Sequence, residues 1–356
     1  MMTCKIEDQI GQAKCSSIIL QERSLVTAVE ILGPSSVAIS SANVSPYVTI
    51  YSSDGKEIAQ CVGHTKGVWA LSKVGDTLVS GGADTKINLW NTQTGHVKNI
   101  PRVLQNTLHG HTGTIRSLHT LDMTTGKFLS ASRDGTIRLW SINNTQYEKS
   151  IIAHEKGVRC LNHVDGTTAS GGYDCQVRVW DILQGECLQT FEGHSATVYS
   201  IAFESTKLAA GAEDGEVRIW DRASGTLLAS LNNGIGIPAQ IRARNGTLIS
   251  TGKNGALTFW NESWLGESHT VLAHDSIIVA LHMTDTDLFT GGMNGVVKKW
   301  DLQSGDLTHE MSTRYKNLHV IVVDQQVVIA VSTDDSHTAL EIWTLEPTSR
   351  ERTQDT

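Results

Sequence analysis

Residues 154–191, HEKGVRCLNHVDGTTASGGYDCQVRVWDILQGECLQTF, hold the pattern that decides the fold. Three short β-branched runs alternate there with the turn signals Asp165-Gly166, Gly171-Gly172 and Gln184-Gly185, which is hairpin chemistry and not helix chemistry. The segment reads as a small antiparallel sheet. One such sheet leaves both faces bare, so it must pack against others like itself. The chain supplies them. An apolar-x-Trp ending recurs at Trp90, Trp140, Trp180, Trp220, Trp260 and Trp300, spaced by forty residues from Trp140 onward. The fifty-residue step from Trp90 to Trp140 assigns the excess to residues 98–108. We read that insertion as a loop between one unit's outer strand and the next unit's inner strand, on the face described below; a simple longer loop is the ordinary reading of it, and a gate over that face is the alternative. Residues 47–51 (YVTIY) and 340–343 (LEIW) stand for two less regular units, which makes eight.

Radial packing of eight sheets predicts an all-β fold, a β-propeller of eight four-stranded blades. The last unit offers strands only near residues 320–323, 327–331 and 339–343. Its fourth is expected from residues 16–20 (SSIIL), an N-terminal strand closing the last blade. The expected division is an N-terminal extension over residues 1–14, the propeller over 15–345, and a disordered polar tail over 346–356. Residues 232–238 (NNGIGIP) read as a flexible turn.

Charged residues make up 19% of the 356, and no apolar run nears the roughly 18 residues that cross a bilayer, so no membrane is expected. Residues 1–11 carry Lys5, Glu7 and Asp8 without the basic and apolar regions of a secretory signal, which predicts an intracellular protein, cytoplasmic and/or nuclear. Cys4, Cys15, Cys61, Cys160, Cys175 and Cys187 show no C-x-x-C or zinc spacing. They read as buried thiols, with no metal and no cofactor. A net charge of −8 argues against a nucleic-acid partner.

The Gly-His step, the SGGxD turn and the closing LW resemble the WD-repeat family over essentially the whole chain. The resemblance implies a hydrogen-bonded set in each blade: His64, Ser80, Asp84 and Trp90; His111, Ser130, Asp134 and Trp140; His154, Ser170, Asp174 and Trp180. Buried polar groups need partners, and such a set fixes a blade's geometry. Later units depart from it. Ala210 stands where Ser is expected beside His194, Asp214 and Trp220. Asn294 replaces Asp beside His274, Thr290 and Trp300, and the Trp260 unit lacks Gly-His. These blades are expected to be less rigid. The His/Asp pairs recur once per blade with the Trp attached, as a structural network requires. No P-loop, G-x-S-x-G elbow or H-E-x-x-H motif is present, so no enzyme is expected.

Two positions per unit point to one face. The start of the inner strand gives Trp69, Arg116, Arg159, Tyr199 and Val279, and the residue before the turn Asp gives Ala83, Arg133, Tyr173, Glu213, Lys253 and Met293. Three arginines on adjacent units of an acidic chain suit a phosphate, which guanidinium forks bind bidentately. GHTKGVW, GHTGTIRSL with SASRDGTIRLW, AHEKGVRCL with SGGYDCQVRVW, and GHSATVYSI resemble the F-box and WD-repeat substrate receptors of SCF-type ubiquitin ligases. That resemblance implies that Arg116, Arg133 and Arg159 hold a phosphate, Tyr173 and Tyr199 line the pocket, Trp69 packs on a following proline, and Thr114 meets a second acidic or phosphorylated group. No F-box segment precedes the strand at residues 16–20, and the last turn, residues 332–335, is acidic. The expectation is a non-catalytic adaptor within a multiprotein complex that binds other proteins, with phosphorylated peptides as the specific class. A general scaffold without phosphate preference is the alternative.

Overall fold

The computed structural model describes residues 13–20, 26–33, 36–42, 46–52, 56–92, 104–232, 240–252, 254–260, 264–265, 268–324, 327–335 and 337–345. These form eight antiparallel four-stranded sheets. In chain order the inner strands of blades 1 to 8 are Val26–Gly33, Val68–Val74, Ile115–Asp122, Val158–Val164, Val198–Phe203, Ile241–Arg244, Ile278–Met283 and Asn317–Asp324. Each packs beside the next, and the eighth returns to the first. The ring therefore closes around an axis lined by inner strands.

The closing strand is Ala13–Leu20, which runs antiparallel to Thr338–Leu345 from Ala13 opposite Leu345 to Leu20 opposite Thr338. Blade 8 is thus built from both ends of the described chain. Between blades the core is apolar. Val79, Leu89 and Leu108 of blade 2 meet Ile115, Phe128 and Trp140 of blade 3, and Val37, Ile39 and Tyr51 of blade 1 meet Ile329, Val331 and Ile342 of blade 8. The sheets touch this closely because glycine is kept where they meet. A Cβ on Gly81 would lie 2.5 Å from Ile115 of the next blade.

Two expectations are corrected. Residues 104–108 are no loop: Leu104–Leu108 is the outer strand of blade 2, paired with Ile87–Asn91. The rest of the insertion, residues 93–103, lies outside the described residues, and with it the expected gate. The outer strand escaped notice because it faces solvent and carries no apolar alternation. Nor are all the cysteines buried. Cys61 is, but Cys160 and Cys175 are half-buried and Cys187 is exposed, on the outer strand Glu186–Phe191. The expected turn at residues 232–238 and the tail at 346–356 fall outside the described residues apart from Asn232. Among the described residues no helix is long and apolar enough to cross a membrane.

Candidate functional site

Three blades hold the hydrogen-bonded set in full. His64 Nδ1 lies 3.0 Å from the Asp84 carboxylate, Ser80 Oγ lies 2.8 Å from His64 Nε2, and Trp90 Nε1 donates to Ser80 Oγ at 2.8 Å. Blade 3 repeats this with His111 to Asp134 at 2.8 Å, His111 to Ser130 at 2.6 Å and Trp140 to Ser130 at 2.7 Å. Blade 4 gives 2.8, 2.7 and 2.9 Å for His154, Asp174, Ser170 and Trp180. The serine accepts from Trp and keeps its own proton for Nε2, an arrangement that leaves Nδ1–H for the carboxylate. Burial works to raise the Asp84 pKa, but the His64 bond and the Thr65 amide outweigh it and hold it below the usual range. Asp134 and Asp174 are held well below it in the same way. Burial also lowers the pKa of His111 despite its aspartate.

The later blades carry gaps. With Ala210 in place of serine, His194 Nε2 is buried without a partner, although Nδ1 keeps Asp214 at 3.1 Å. His274 keeps Thr290 at 2.8 Å, but its Nδ1 is buried and unpartnered because Asn294 turns to Asp275. The Trp260 unit retains Trp260 Nε1 to Ser250 at 3.0 Å.

The inner-strand position earns its character from a β-bulge. In blade 2, Val68 pairs with Gly82 and Ala70 with Gly81, which leaves Trp69 outside the ladder. The same slip frees Arg116, Arg159, Tyr199 and Val279, and also Thr27 and His319. A bulge re-aims its extra residue, here toward one face of the ring. Thr27 and His319 were missed in the sequence because their units lack a Gly-His step to count from. The second set is tied to the same face by a repeated backbone bond, such as the Arg133 amide to the Thr114 carbonyl at 2.9 Å and the Tyr173 amide to the Gly157 carbonyl at 3.0 Å. Lys253 lies outside the described residues.

Each arginine is stacked on an aromatic ring of a neighbouring blade. Arg116 lies 4.3 Å from the Trp69 centroid, Arg133 5.0 Å from Tyr173, and Arg159 4.6 Å from Tyr199. These pairs hold flat guanidinium forks in place while leaving their edges open. Arg133 is exposed, and the other five residues, with Thr114, are half-buried. Arg116 is the centre: burial lowers its pKa, the tyrosine oxygen of Tyr173 opposes this, and the charges of Arg159 and Arg133 add to the lowering. Its Nε is buried without a hydrogen-bond partner. No ion pair among the described residues includes Arg116, Arg133 or Arg159, whereas Arg178 has Asp174 at 2.9 Å and Arg218 has Glu216 at 2.7 Å. Three like charges without an acid between them form a site of strongly positive potential on an acidic chain.

Comparison with known sequences matches the family described as "WD domain, G-beta repeat" at residues 55–91, 102–141, 145–181 and 185–221. The WD repeat-containing protein pop1 of Schizosaccharomyces pombe is 32% identical over 122 residues, which is 28% of this chain and 15% of that protein. The ribosome biogenesis protein YTM1 of Eremothecium gossypii is 35% identical over 112 residues, 30% of this chain and 25% of that one. A ribosome biogenesis protein WDR12 homolog of Anopheles gambiae is 32% identical over 107 residues, 28% and 23% of the two chains. The chain thus spans a quarter or less of these relatives. Among solved structures, the computationally designed Ika8 protein superposes with a TM-score of 0.78 at 24% identity, over 92% of this chain and 99% of that one. The WD40 β-propeller domain of Doa1 gives 0.63 at 18% identity over 96% and 98%. Both share the fold.

Proposed function

This chain is an eight-bladed WD-repeat β-propeller, and on that premise we propose that it is a non-catalytic intracellular adaptor that binds other proteins through phosphorylated serine or threonine. The observation that carries the reading is the trio Arg116, Arg133 and Arg159, stacked on Trp69, Tyr173 and Tyr199 and without a carboxylate partner among the described residues. A dianionic phosphate supplies the missing counter-charge, and hydrogen bonds to charged groups contribute about 1.5–3 kcal/mol each. After the cost of association, that supports micromolar binding or better. In this reading Tyr173 and Tyr199 line the pocket, Trp69 offers its indole to the residue after the phosphate, and Thr114 meets a second acidic group. The propeller begins at Ala13 and not at residue 15, since Ala13 and Lys14 pair in the closing strand, and it acts as one unit in a multiprotein complex.

The test is fluorescence anisotropy with peptides centred on phosphothreonine-proline and their unphosphorylated twins. Wild type is expected to bind only the phosphorylated members. Arg133→Ala is expected to weaken binding, by less than the roughly 2–5 kcal/mol of a buried pair because Arg133 is exposed, with an unchanged melting temperature. Trp140→Ala, which removes a fully buried ring, is expected to cost about 3–5 kcal/mol of stability. If Arg133→Ala unfolds the protein as Trp140→Ala does, the pocket reading is wrong.

A second reading, a scaffold for unmodified proteins, is favoured by the names of the ribosome biogenesis relatives. It is separated from the first by the twins, which a scaffold binds equally.

A further inference from the structure

The inner strand of blade 6 holds a fourth arginine that the phosphate reading does not use. The seam with blade 5 is stapled there: the Ile241 amide donates to Ser200 Oγ at 3.1 Å, and Ser200 Oγ donates to the Ile241 carbonyl at 3.1 Å. The next residue, Arg242, folds back along this seam. Its Nη1 donates to the Ile241 carbonyl at 2.9 Å and reaches Ser200 Oγ at 3.4 Å. Arg242 is open to solvent yet enclosed deeply enough that burial lowers its pKa, which fits an inner strand whose open surface is toward the axis of a closed ring. No ion pair among the described residues includes Arg242. Two residues on, Arg244 has Asp285 at 2.5 Å.

Its place relative to the trio is given by Ser200. Arg159 rests on Tyr199 in the bulge layer, and Ser200, which Arg242 Nη1 reaches at 3.4 Å, lies one residue further along the same strand. Arg242 therefore reaches from blade 6 to the layer just beneath the ring that carries Arg159. His282, on the inner strand of blade 7, also neighbours Arg242 and is neutral. It neither repels an anion nor neutralises Arg242.

We propose that Arg242 forms a second anion subsite inside the ring, beneath the three arginines, for a ligand that carries two phosphoryl groups. This rests on the phosphate reading of the upper face. Only one of the five N–H groups of the guanidinium is spent on a short bond, so a fork remains to grip a phosphate. The chemistry suits either a doubly phosphorylated peptide or a small polyphosphate.

The test uses the full chain as wild type, Arg242→Gln and Arg133→Ala, with anisotropy read for singly phosphorylated peptides, for peptides with a second phosphate at a series of spacings, and for inorganic pyrophosphate as competitor. In wild type, the best-spaced second phosphate is expected to tighten binding by about tenfold or more. In Arg242→Gln that gain is expected to vanish, with single-phosphate affinity and melting temperature unchanged. Pyrophosphate competition that weakens in Arg242→Gln, without a gain from the second peptide phosphate, also supports the subsite and identifies a small polyphosphate as its ligand. If both the gain and the competition persist in Arg242→Gln, the subsite is overturned while the upper face stands. If wild type does not distinguish phosphorylated peptides from their twins and pyrophosphate does not bind, both readings fall.

Discussion

Arg116 and Arg178 lie on adjacent blades, yet among the described residues one has no ion-pair partner and the other is held by Asp174. The difference is position: Arg178 sits within a sheet beside the His154 set, whereas Arg116 is thrown out of its ladder by the bulge. Histidine shows the same dependence on neighbours. His274 lacks an aspartate, and burial, with help from Lys298, lowers its pKa to about 4. That lies below the value near 6.5 of an unfolded histidine, so its contribution is present above 6.5 and is lost as pH falls toward 4. Asn294→Asp is expected to give Nδ1–H a carboxylate, raise the His274 pKa and stabilise the fold by about 1 kcal/mol, with the larger gain at pH 5. Urea melts at pH 5 and pH 7 check this, and a gain equal at both would contradict it. The full sets of His64, His111 and His154 were legible because their spacing is fixed. Arg242 was not, since its unit has no Gly-His to count from and residues on an inner strand face the axis or a seam according to a register the sequence leaves open.

At the scale of a blade, the serine hydroxyl joins two partners, so its loss and its gain are informative. Ser80→Ala strands His64 and Trp90 and is expected to destabilise by about 1–3 kcal/mol. Ala210→Ser in blade 5 is expected to do the reverse, by about 1 kcal/mol, because it offers His194 Nε2 the hydroxyl it lacks. Urea midpoints of the two variants measure this, and a destabilised Ala210→Ser would mean that the site has relaxed around alanine. Strand identity and blade number were readable from the turn residues and the tryptophan period. The outer strand Leu104–Leu108 was not, because an exposed strand carries little apolar pattern and an insertion displaced it from its expected place.

The ring as a whole is closed by pairing of Ala13–Leu20 with Thr338–Leu345, and a buried acid, Glu341, lies on the second of these strands. Glu341 is fully buried and accepts from the Arg314 amide at 2.9 Å and from Ser332 Oγ at 3.3 Å. Burial raises its pKa to about 7, and that of Glu30 in blade 1 likewise. A folded value above the unfolded one near 4.3 gives a contribution that is whole below 4.3 and gone once pH has risen through about 7. Glu341→Gln is expected to flatten the fall in melting temperature between pH 5 and pH 7.5. An unchanged slope would show that Glu341 ionises freely in the fold.

The measurement that bears most directly on the phosphate reading is the affinity of a phosphothreonine peptide for wild type as salt is raised, with inorganic phosphate and sulfate as competitors. Contacts between an exposed anion and arginines are screened by ions, with a Debye length of about 10 Å at 0.1 M and about 3 Å at 1 M. The expected result is affinity that falls steeply with salt and is competed by both anions. Binding that tolerates salt and ignores phosphate would contradict a phosphate held by Arg116, Arg133 and Arg159, and would leave a propeller that grips its partners by apolar contact.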